Sequence, residues 1–115
     1  MELKPALRNL RQSCGAIASA IISRDGLVIA SDMPEGVSGD TFAIMSATLL
    51  GAASTANSEL RIGMPVAVTV ESEDARILIV GAGRKALLVC VLPKKADPTL
   101  ATKRLQELAD TFKAL

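Results

Sequence analysis

The chain predicts an α/β protein of the α+β kind: a three-layer sandwich in which helices cover both faces of a central five-stranded antiparallel sheet. Three observations carry that prediction. Apolar residues recur at helical spacing in three segments and alternate or run continuously in five short ones, in the order α-β-β-α-β-β-β-α. Short turn-forming stretches join the strands, as hairpins require. Phe42 and Phe112 are the only aromatic residues among 115, so Val, Ile, Leu and Ala must fill the core, which suits flat layers. With no internal repeat and no linker-like stretch, residues 1–115 read as one domain.

Leu3, Leu7, Leu10 and Cys14 recur three and four apart, with Lys4, Arg8 and Arg11 on other faces, making a short amphipathic first helix that Gly15 ends. Residues 16–23 read as a strand whose Ile17, Ile21 and Ile22 give it apolar groups on both sides, so both sheet faces are covered. Arg24-Asp25-Gly26 supplies the turn, and residues 27–31 return as the second strand. After a loop over 33–39, Asp40 caps the central helix, and Gly63 with Pro65 stops it beyond Arg61.

Residues 64–72 alternate Val66, Val68 and Val70 against Ala67, Thr69 and Glu71, which marks the expected sheet edge. Residues 76–80 and 86–92 are almost wholly apolar and belong inside the sheet, joined through 72–75 and 81–85. Asp97-Pro98 opens the last helix as cap and first residue. Ala101, Leu105, Leu108, Phe112 and Leu115 form its apolar stripe, with Lys103, Arg104, Glu107, Asp110 and Lys113 mostly outside it.

The central helix carries no charge from Thr41 to Ser58 and has two apolar arcs. Phe42, Met45, Leu49, Ala53, Ala56 and Leu60 form the arc of larger groups, suited to the sheet beneath. Ala43, Ala47, Gly51, Ser54 and Ser58 form a small-residue arc that permits close approach of a second helix. A two-fold pairing of the edge strand, through Val66, Val68 and Val70, would bring the small arcs of two copies together. The expected dimer seam is therefore Ala43, Ala47, Gly51, Ser54, Val66, Val68 and Val70. Thr48, Thr55 and Glu59 face away from sheet and seam, and are the expected docking positions for a further partner.

A membrane span is excluded by polarity, because Thr41, Ser46, Thr48, Ser54, Thr55, Asn57 and Ser58 punctuate that segment. The first ten residues alternate charge with apolar groups and lack a signal-peptide core, so the expected address is cytoplasmic. A net charge of +1 selects no partner, and Lys94-Lys95 has no aromatic neighbours to stack bases, so nucleic acid is not expected. Histidine is absent, which removes the commonest general base and the commonest nitrogen metal ligand. Cys14 and Cys90 lack CxxC spacing and read as buried reduced thiols rather than as a catalytic or zinc site, with a disulfide between them left as the unsupported alternative. No cofactor, metal or catalytic residue is expected.

Gly81-Ala82-Gly83 followed by Arg84 and Lys85 mimics a phosphate loop. A strand follows it, however, where a phosphate loop needs a helix N-terminus, so it reads as a hairpin turn. Arg24, Arg61 and Arg84 each offer a guanidinium of the arginine-finger type, and each also fits an ordinary surface arginine.

The run Ile22-Ser23-Arg24-Asp25-Gly26-Leu27-Val28-Ile29-Ala30-Ser31, preceded by Gly15, resembles the strand, Asp-Gly turn and strand signature of the Roadblock and dynein light chain family. Gly83 and the strand over 87–92 are similar to that family's late hairpin, and the element order agrees over essentially the whole chain. The resemblance implies a profilin-like fold and a homodimer, or a heterodimer with a sister Roadblock chain, with central helices side by side. It also implies docking as the function: a non-catalytic regulator or scaffold of a small Ras-like GTPase, of the prokaryotic stand-alone type. A dynein-light-chain-like structural adaptor is the alternative within the family. A small-ligand sensor is the alternative outside it, with Ser19 and Thr69 as the main polar groups the strands offer.

Overall fold

The computed structural model describes residues 3–113. Its elements are α1 (Leu3–Cys14), β1 (Ala18–Ser23), β2 (Val28–Asp32), α2 (Gly39–Glu59), β3 (Ala67–Glu71), β4 (Ala75–Ala82), β5 (Ala86–Pro93) and α3 (Pro98–Lys113). The strands form one antiparallel sheet in the order β2-β1-β5-β4-β3. The apolar strands β4 and β5 lie inside, and the alternating β3 is an edge, as their side-chain patterns require.

Two apolar layers flank the sheet. On one face, Leu7, Leu10 and Cys14 of α1 and Ala101, Leu105 and Ala109 of α3 pack against Ile21, Leu78, Val80, Leu88, Cys90 and Leu92. On the other, α2 covers Ala20, Ile22, Ile79, Leu87 and Val89. Alternate residues of β1 thus serve opposite layers, Ile21 in one and Ile22 in the other. Cys14 and Cys90 are both buried free thiols.

Local signals set the element ends. Gly15 adopts φ 73° and returns its amide to the Arg11 carbonyl, closing α1. Gly26, at φ 95°, makes the β1–β2 turn, and a Cβ there would come 3.2 Å from the Ile44 backbone of α2. Asp97 caps α3 through a bond from the Thr99 amide to its Oδ1 at 2.9 Å.

Several expectations are corrected. Ser38, not Asp40, is the N-cap of α2: its Oγ accepts from the Thr41 amide at 3.3 Å, while Asp40 sits in the first turn. The end of α2 depends on Arg61 rather than on Gly63. Arg61 takes φ 57° and donates to Ser58, while Ile62 donates to Asn57, the paired bonds of a Schellman ending. Ile17 precedes β1 and is exposed, so it joins neither layer. The expected contribution of Leu115 to the α3 stripe lies outside the described residues, as do the positions 1, 2 and 114.

Candidate functional site

The face of α2 turned to the sheet is made of Ala43, Ser46 and Leu50, all buried, flanked by half-buried Ala47 and Ser54. Ala43 is fully buried, in the layer with Ile22, Ile79, Leu87 and Val89. Ala47 packs against the same layer, and the Ser54 hydroxyl donates to the Leu50 carbonyl. Ala43 and Ala47 of the small-residue arc therefore lie on the sheet, opposite to the expected orientation, and are corrected from seam to core, while Gly51 and Ser58 are exposed. Branched side chains project so far from the sheet that the helix above them seats best on small groups; large over large would leave gaps. Gly51 lies exposed on the flank of that arc, with open space where a Cβ would stand.

The larger residues are consequently turned outward. Ile44, Met45 and Leu49 are exposed, Met45 at 52 %, together with Ala52 and Ala56. Phe42 alone among the large members of that arc packs partly against the sheet layer. Thr48, Thr55 and Glu59 are exposed as expected, with the Thr48 hydroxyl returned to the Ile44 carbonyl of its own helix. The outer face of α2 is thus a run of apolar and hydroxyl groups in which Glu59 is the only charge beyond the first turn.

The same surface continues past the helix. Leu60, Ile62, Met64 and Val66 are all more than half exposed, Val66 at 74 %, along the segment that leads into β3. Val66 precedes the strand, whereas Val68 and Val70 lie within it, both half-buried, Val68 against the layer that α2 covers. Val68 stands opposite Ile79 in the β3–β4 register, and the other side of β3 is an open sheet edge. At its far end, Glu71 accepts from Lys94 Nζ at 2.6 Å and Arg76 Nε at 2.5 Å. The Lys94 bond, then the Arg76 bond, holds the Glu71 carboxyl below its ordinary range.

The apolar helix face runs on into an apolar strap and an unpaired strand edge, features that a docking surface would use. Among the described residues no group of three or more Cys, Asp or Glu side chains could hold a metal, and no helix is long and apolar enough to cross a membrane.

The Roadblock/LC7 domain model matches residues 4–92. The chain belongs to the Roadblock/LC7 family. A protein of Methanocaldococcus jannaschii, itself uncharacterized, is 30 % identical over 109 residues, covering 95 % of this chain and 92 % of that one. A Roadblock/LC7 domain from Streptomyces avermitilis superposes with a TM-score of 0.91 at 20 % identity, covering 99 % of this chain and 97 % of the other. Myxococcus xanthus MglB gives 0.90 at 13 % identity, over 96 % and 84 % of the two chains. Acanthamoeba castellanii profilin II gives 0.68 at 20 % identity, over 98 % of each, so the fold is profilin-like.

Proposed function

We propose that this Roadblock/LC7 chain, as one domain, is a non-catalytic regulator or scaffold of a small Ras-like GTPase and works as a dimer. The observation that carries the reading is the outward-facing Met45 and Leu49 on α2, continuous with Leu60, Ile62, Met64 and Val66 beside the open edge of β3. Leaving that much apolar surface in water opposes solubility, whereas a second copy paired along β3 would cover the strand edge and the strap together. The seam then comprises Val66, Val68 and Val70 with Met45 and Leu49, and Gly51 and Ser54 border it. The partner is a second copy or a sister Roadblock chain.

Thr48, Thr55 and Glu59 form the docking positions for the GTPase, because hydroxyl groups are cheaper to desolvate than lysine or glutamate and suit a surface that is sometimes covered. The chain contains no GxxxxGK[ST] sequence and no histidine, so the nucleotide belongs to the partner. Arg24 is held down on the Gly83 carbonyl, leaving Arg61 and Arg84 as the exposed arginines of the three considered as fingers. Regulation through docking does not need either one. A setting in the cytoplasm follows from a GTPase partner.

The test is to mix the purified chain with each Ras-like GTPase of its own genome, then follow nucleotide exchange, hydrolysis and complex formation by gel filtration. A complex with altered turnover, lost in a Thr48→Arg and Thr55→Arg double variant that stays folded, is the expected result. Absence of a complex with every candidate overturns the reading.

A further inference from the structure

The strand β3 begins at Ala67, opposite Val80, so Gly81 and Ala82 of β4 have no paired strand on that side. A cleft of about 580 Å³ opens at this place, within the size range of small-molecule sites. Leu50 of α2 and Met64, Pro65 and Val66 of the strap give it an apolar wall, and Arg24 and Arg84 bring two cations to it. Among the described residues no carboxylate lines it. The ion pairs found among the described residues, Arg11–Asp32, Arg76–Glu71, Lys94–Glu71 and Arg104–Glu107, involve neither arginine.

Arg24 is held in place from several directions. Its amide donates to the Lys85 carbonyl at 3.0 Å, and its Nη2 donates to the Gly83 carbonyl at 2.6 Å. The guanidinium lies across the bare face of Gly81, where a Cβ would come 2.8 Å from Nη2. Its Nε is buried with no acceptor among the described residues, so this rigidly placed fork is short of acceptors. A guanidinium fixed beforehand loses little entropy on meeting an oxyanion, and its partial burial strengthens the attraction.

We propose that this cleft binds a small organic oxyanion, a carboxylate or phosphate ester with an aliphatic body, whose head is held by Arg24 and Arg84 and whose tail lies on Leu50, Met64 and Val66. The recognition is by side-chain guanidinium groups, so it does not require the helix N-terminus that a phosphate loop uses. Arg24 has a bracing role toward Gly83 in any case, but Arg84 has no such role, and it separates binding from bracing. The site stands apart from the docking positions Thr48, Thr55 and Glu59, but it shares Met64 and Val66 with the strap that the proposed second copy covers, so the titration is read alongside the oligomeric state.

The experiment is a titration of the full-length chain, followed by amide shifts and calorimetry, with octanoate, octyl phosphate, inorganic phosphate and octanol as probes. Octanoate or octyl phosphate should shift the amides of Val66, Gly81, Gly83 and Arg84 with a Kd of about 1 mM or tighter. The preferred head group tells carboxylate from phosphate, and weaker binding of inorganic phosphate than of its octyl ester reports the apolar wall. Octanol should bind about tenfold more weakly than the better anion. Arg84→Gln should weaken the anion about tenfold, and Gly81→Ala, whose Cβ pushes the Arg24 guanidinium aside, should weaken it with both charges retained. The proposal is overturned if neither octyl anion shifts those amides at about 10 mM, if octanol binds as well as they do, or if both variants bind like the wild type.

Discussion

The guanidinium of Arg11 on α1 holds both carboxylate oxygens of Asp32 at the end of β2, with Nε donating to Oδ2 at 2.9 Å and Nη2 donating to Oδ1. The two partners sit differently: the Asp32 side chain is 10 % exposed and that of Arg11 is 56 % exposed. Removing the arginine strands a nearly buried carboxylate, whereas neutralising the aspartate leaves a cation free to hydrate. Arg11→Ala should therefore cost about 2 kcal/mol, after allowing for the exposure of the guanidinium, and Asp32→Asn about 1 kcal/mol. Urea unfolding of the two variants checks the order of the costs, and equal losses would contradict the asymmetry.

The full strand order comes from the structure, but the inner placing of 76–80 and 86–92 and the edge placing of 64–72 were legible because burial dictates side-chain pattern: the first two read as almost wholly apolar runs, and the third alternates. The orientation of α2 was not. Its sequence offers two uncharged arcs, one of larger and one of smaller groups, and the choice between them is made by Ile22, Ile79, Leu87 and Val89, which come from three different strands. The same applies to Arg11 and Asp32, 21 residues apart, and to Arg24 over Gly81, each a product of strand pairing rather than of local sequence. Ser38 was hidden for a different reason. A nearby aspartate, Asp40, offers an equally good capping group, and two residues of helix phase decide between them.

Cys90 makes the response to alkali a test of the core. Burial pushes its thiol from 9.0 up to about 12, with neighbouring Cys14 adding to the shift. A raised folded value means that the stabilisation is intact below the unfolded value and is lost as pH climbs from about 9 toward 12, because the unfolded chain ionises first. The slope from this group is at most about 1.4 kcal/mol per pH unit. No tyrosine titrates in the same window. Stability measured from pH 8 to 10.5 should fall more steeply for the wild type than for Cys90→Ala, and parallel curves would place Cys90 in contact with solvent.

Arg61 occupies the left-handed backbone position that ends α2, where glycine carries no Cβ penalty. It is exposed, and its role at that position is confined to its backbone, so Arg61→Gly should stabilise the chain by about 0.5–1 kcal/mol. Thermal unfolding should rise by several degrees at unchanged helix content. A lower midpoint would mean that the side chain at position 61 contributes more than the backbone relief, for instance by covering the last carbonyls of the helix.

The orientation of α2 gives the sharpest contrast between core and surface substitutions. Ala47→Glu would place a carboxylate against the layer formed by Ile22 and Ile79, and should unfold the chain or cost several kcal/mol, about 3 or more. Met45→Glu and Leu49→Glu, on the exposed face, should instead leave the fold and its melting behaviour nearly intact while weakening self-association. Val68→Pro should impair both, since it removes an amide from β3, a strand already held on only one side. Arg104→Ala, which loses a surface bond to Glu107, should change stability by about 0.5 kcal/mol or less and serves as the control. Sedimentation equilibrium with circular dichroism separates the cases. A Met45→Glu, Leu49→Glu double variant that is folded and as dimeric as the wild type would move the seam off this helix face, and a monomeric wild type would remove it.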